Sequence, residues 1–71
     1  MTPEQVYDNL NMPVRYKIPA ISNYYSNSTY ILMACVTRKS PAGKIYHRAE
    51  IKDYRTNSVM YVDLADVEPA E

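Results

Sequence analysis

Apolar residues recur along this chain first at helical spacing and then at strand spacing. Thr2-Pro3-Glu4-Gln5 has the pattern of a helix start, with Thr2 as N-cap, Pro3 where a missing N–H costs nothing, and Gln5 three residues after the cap. Val6, Leu10 and Tyr7 would face the body of the protein, and Asn9, Asn11 and Pro13 end the run after a few turns. A helix so short holds together only when docked. Beyond it the period falls to two: Val14, Tyr16 and Ile18 alternate with Arg15 and Lys17, which predicts a half-buried strand stopped by Pro19.

The polar stretch Ser22 to Ser28, carrying Tyr24 and Tyr25, reads as a loop. Tyr30-Ile31-Leu32-Met33-Ala34-Cys35-Val36 is apolar on both parities, as expected of a central, most buried strand. A turn at Lys39-Ser40-Pro41-Ala42-Gly43 leads to a strand over residues 45–51. A second connection, Asp53 to Asn57, leads to Val59-Met60-Tyr61-Val62, and residues 63–69 predict a tight helical turn that closes the domain. The expected fold is mostly β: a small, bent antiparallel barrel over residues 13–71, preceded by a helix and lead-in over residues 1–12.

Length limits what such a fold can do. A chain of 71 residues buries only roughly 60% of its unfolded surface, which disfavours a deep, dry active site. One Cys and one His cannot close an internal disulfide or make a four-ligand zinc site. No metal or other cofactor is expected. The lack of a long apolar run or a signal-peptide pattern predicts a soluble, intracellular protein with no membrane partner.

Zero formal net charge conceals an uneven distribution. Residues 9–49 carry Arg15, Lys17, Arg38, Lys39, Lys44 and Arg48 with no acid. Residues 50–71 carry Glu50, Asp53, Asp63, Asp66, Glu68 and Glu71 against Lys52 and Arg55. The basic middle also holds Tyr16, Tyr24, Tyr25, Tyr30 and Tyr46, so Arg38, Lys39, Lys44 and Arg48 offer a single-stranded nucleic acid both phosphate contacts and stacking surfaces.

Residues 33–68 carry a more specific pattern. Gly43-Lys44-Ile45-Tyr46-His47-Arg48-Ala49-Glu50-Ile51, followed by Val59-Met60-Tyr61-Val62-Asp63-Leu64-Ala65-Asp66-Val67-Glu68 and preceded by Met33-Ala34-Cys35-Val36, resembles the Tudor family. That resemblance implies an SH3-like barrel whose aromatic cage holds a methylated arginine or lysine through cation–π contacts. The cage positions would fall on Val36, His47, Tyr61, Leu64 and Asp66, of which only Tyr61 keeps the family's aromatic type. One ring makes no cage, so the resemblance implies an Arg-containing peptide site without methyl selectivity, with Asp66 pairing to a guanidinium stacked on Tyr61.

Cys35 and His47 on neighbouring strands invite a thiol nucleophile, but no third group orients the base, and catalysis is not expected. The expected function is that of a non-enzymatic protein-interaction module binding a protein or Arg-containing peptide, with Tyr24 and Tyr25 adding exposed aromatic surface. Two alternatives stand beside it: a small inhibitor or accessory protein of the kind carried by phages and mobile elements, covering a partner enzyme, and the nucleic-acid binder described above. An open strand edge also makes a homo-oligomer possible.

Overall fold

A computed structural model describes residues 1–18 and 29–70 of the chain. The helix α1 spans Pro3–Asn9. Its start follows the sequence pattern: the Gln5 side-chain oxygen accepts from the Thr2 N–H at 2.9 Å, and the Gln5 N–H donates to the Thr2 carbonyl at 3.1 Å. Val6 is its buried residue. Asn11, in the left-handed region at φ 62°, turns the chain out of the helix, and its N–H donates to the Leu32 carbonyl at 2.8 Å. The Met1 amino group donates to the carbonyls of Val67 at 2.7 Å and Leu64 at 3.3 Å, tying the start of the chain to its far end.

Five strands follow: β1 (Pro13–Tyr16), β2 (Tyr30–Lys39), β3 (Ile45–Asp53), β4 (Val59–Asp63) and β5 (Val67–Pro69). They form one antiparallel sheet in the order β4-β3-β2-β1-β5, and among the described residues its two end strands do not pair with each other. The predicted turn over residues 63–69 divides in two. Leu64–Asp66 forms a single 3-10 turn, and the chain then extends again as β5 beside β1. Val67 accounts for the difference: its β-branched side chain is fully buried, and an extended backbone both buries it and pairs with Tyr16.

β2 is central in strand order, as its composition predicts, but only Tyr30 and Leu32 are buried along it. The reason is length. Paired with β3 as far as Lys39↔Ile45, β2 runs past the ends of β1 and β4 as a projecting two-stranded hairpin. Gly43 at φ +89° closes the hairpin, with its N–H donating to the Ser40 carbonyl at 2.8 Å. At the other connection Asp53 Oδ1 accepts from the N–H groups of Arg55 at 2.8 Å and Thr56 at 3.3 Å, and Asn57 takes the positive φ.

The core draws on every element: Val6, Val14, Tyr30, Leu32, Ala49, Ile51, Val62, Leu64 and Val67. Tyr16 meets Tyr30 edge to face, ring centroids 6.2 Å apart at 89°. Burial, then electrostatic repulsion from Asp66 and Tyr30, raise the Tyr16 hydroxyl above its usual pKa. On the surface, Arg15 and Glu68 form an ion pair at 3.5 Å across the β1–β5 ladder.

Candidate functional site

A β-bulge decides which residues share a face. Leu32 lies opposite Ile51, but the next aligned pair is Ala34 with Glu50, so Met33 is an extra residue with no partner in β3. Without it, strict alternation from buried Leu32 would turn Ala34, Val36 and Arg38 toward the core face. With it, these three side chains join the outer face, and Cys35 and Thr37 fall on the core-facing side.

On the outer face Val36 and Arg38 stand opposite Arg48 and Tyr46 of β3, and Tyr61 of β4 stands opposite Glu50. Val36, Arg38, Tyr46, Arg48 and Tyr61 together line a shallow depression of about 430 Å³. Both rings are accessible, Tyr46 at 38% and Tyr61 at 59%. The Tyr61 hydroxyl donates to Glu50 Oε1 at 2.7 Å, which holds the ring across the sheet. That hydrogen bond, with the carboxylate charge behind it, raises the Tyr61 pKa, while Arg38 pulls it the other way. Among the described residues neither Arg38 nor Arg48 has an ion-pair partner. Two guanidiniums and two aromatic faces are therefore available to an anionic or aromatic ligand.

The residues named from sequence divide over this geometry. Val36 and Tyr61 meet at the depression, and so do Arg38 and Arg48 from the nucleic-acid reading. His47 is on the opposite side of the sheet, where its Nδ1 is 3.0 Å from Thr37 Oγ1. Leu64, only 3% exposed, is a core residue: its apolar side chain fills the centre rather than a binding surface. Asp66 sits in the 3-10 turn near Tyr16, and its backbone carbonyl accepts from the Lys17 N–H at 2.8 Å. Lys39 and Lys44 belong to the hairpin tip and do not line the depression. Tyr24 and Tyr25 lie outside the described residues.

Tyr46, expected from sequence only as a stacking surface for nucleic acid, joins this face, and Glu50 was not expected at a site at all. Tyr46 and Glu50 flank Arg48 at strand spacing, so the period of two in β3 alone places all three on one side. The second surface feature is an apolar groove of about 480 Å³ between α1 and β2, walled by Val6 and Tyr7 from the helix, by Leu10 just past its end, and by Met33, Cys35 and His47 from the sheet. Burial pushes the Cys35 thiol up, away from the reactive thiolate. No cluster of His, Cys, Asp or Glu suited to a metal occurs among the described residues, and none of their helices is long and apolar enough to cross a membrane.

No protein-family model, curated protein or solved structure matches the chain.

Proposed function

We propose that this chain is a non-catalytic protein-interaction module with an SH3-like barrel architecture, and that the outer face of β2, β3 and β4 holds an acidic segment of its partner. The barrel reading is supported by the strand order β4-β3-β2-β1-β5, by the 3-10 turn joining the two end strands, and by burial of Val62 and Val67 from those ends in one core. A sheet must curl for its outermost strands to share a core.

The observation that carries the functional reading is the meeting of Arg38 and Arg48, without an ion-pair partner among the described residues, with Tyr46 and Tyr61 around one depression. Arg and Tyr are the residue types in which interface energy concentrates. The same pair of guanidiniums repels a cationic ligand, so the Arg-containing peptide implied by the Tudor resemblance is disfavoured at this face. A carboxylate that accepts from a guanidinium while its neighbour packs on a tyrosine meets both demands.

Fluorescence anisotropy with labelled deca-glutamate and deca-arginine peptides tests the proposal. The acidic peptide binds, and Arg38→Ala with Arg48→Ala weakens it about tenfold, as two exposed charge pairs of somewhat under 1 kcal/mol each require. Binding of the arginine peptide, or an unchanged affinity in the double variant, overturns it. The alternation of Arg with exposed Tyr on adjacent strands favours single-stranded nucleic acid as a second reading. An oligothymidine probe that binds with a steep salt dependence would put that reading first.

A further inference from the structure

The hairpin closes with the Ser40 N–H donating to the Lys44 carbonyl at 2.8 Å. Pairing alternates from there along the antiparallel ladder, so Arg38, Val36 and Ala34 direct their backbone groups to β3, while Lys39, Thr37 and Cys35 direct theirs outward. On that outer side β1 reaches only Ile31, and Asn11 and Met12 extend the pairing to Leu32. From Cys35 to Lys39 the second edge of a central strand has no backbone partner among the described residues. The apolar groove against α1 runs beside it.

We infer that this edge pairs with the same edge of a second copy of the chain, joining two sheets into one continuous sheet across a two-fold axis at Thr37. In that antiparallel register Thr37 faces Thr37 of the second copy, Cys35 faces its Lys39, and Lys39 faces its Cys35. Every outward N–H and C=O of the three residues finds a partner. The charges fit as well. Arg38 stands opposite an apolar Val36, not another Arg38. Lys39 comes over the groove of the second copy, which Glu4 lines together with Cys35. Opposite Thr residues are a favourable cross-strand pair. A formal net charge of zero leaves no net repulsion between copies. The union would also set the two Arg38/Arg48 faces side by side, doubling the surface offered to a partner.

Sedimentation velocity and native mass spectrometry of the full chain read the mass directly. A dimer is expected at micromolar concentration. Thr37→Pro, which removes one outward N–H, no β2–β3 backbone bond and only the exposed side-chain bond from Thr37 to His47, is expected to give a monomer with an unchanged far-ultraviolet circular dichroism spectrum. Lys39→Glu is expected to weaken the dimer about tenfold by placing two carboxylates together, and adding Glu4→Lys to restore it. A monomer at all concentrations up to millimolar, a dimer indifferent to Thr37→Pro, or an open-ended assembly overturns the inference. If Thr37→Pro unfolds the chain, the charge reversal and its rescue decide alone, and failure of Glu4→Lys to restore the dimer overturns it.

Discussion

Leu32, the last core residue of β2 before the bulge, sets a quantitative contrast with its neighbour Met33. Leu32 is fully buried, opposite fully buried Ile51, whereas Met33 is 36% exposed. Leu32→Ala removes three carbons from a closed site, at about 0.8 kcal/mol for each buried methylene, plus the cost of the cavity left behind. The total comes to about 3–4 kcal/mol. Met33→Ala removes a side chain that solvent already reaches, and should cost about 1 kcal/mol or less. For a domain of this size each kcal/mol moves the melting temperature by roughly 4–8 °C, so the two variants should melt about 10–20 °C apart. The total stability of such a chain is on the order of 4–10 kcal/mol, and Leu32→Ala should therefore already populate the unfolded state on mild heating. Thermal and urea melts followed by circular dichroism measure both variants. Equal losses, or a larger loss at Met33, would mean that β2 does not turn Leu32 into the core opposite Ile51. The Leu32↔Ile51 pairing, from which the extra residue at Met33 is counted, would then be wrong.

Two further outcomes follow from hydrogen bonding and titration. Asp63 Oδ1 accepts from the Ala65 N–H at 3.0 Å and so starts the 3-10 turn; Asp63→Ala should cost about 1 kcal/mol and Asp63→Asn should recover most of it, as urea midpoints would read, while equal losses in both would assign the effect to charge instead. Cys35, Tyr16 and Tyr61 all titrate above their ordinary values of 9.0, 10.0 and 10.0 in the folded chain. The folded state thus keeps protons that the unfolded chain releases first. The corresponding stability is complete below about pH 9 and is lost as pH rises through the raised folded values. Urea midpoints between about pH 8 and pH 11 should fall, chiefly through burial at Tyr16 because Tyr61 is exposed; a flat or rising profile would contradict the burial that raises Tyr16 and Cys35.

Much of the architecture is legible in one dimension. The capping pattern at Thr2 and Gln5 marks the start of α1, and the single Gly43 marks the hairpin that needs a positive φ. Alternation in β3 puts Ala49 and Ile51 in the core, with Tyr46, Arg48 and Glu50 on the other face. These are local statements, set by backbone sterics and by a period that each segment carries within itself.

Other decisions lie between segments. Residues 63–69 contain polar turn formers, and Val67–Pro69 becomes a strand only through its pairing with β1, which buries Val67. Leu64 is apolar wherever it stands; its place in the core follows from the turn that aims it inward. β2 is apolar on both parities, so no periodicity in its own residues reveals that Met33 is supernumerary. The mismatch exists only against β3, because a bulge is a property of a pair of strands. That one residue brings Val36 and Arg38 beside Tyr46, Arg48 and Tyr61, and leaves His47 on the reverse of the sheet. Composition and period, which residues carry one at a time, already make this a small strand-rich chain with a basic, tyrosine-bearing middle. Which cations and rings converge was decided by tertiary structure, because convergence depends on the register of one strand against another.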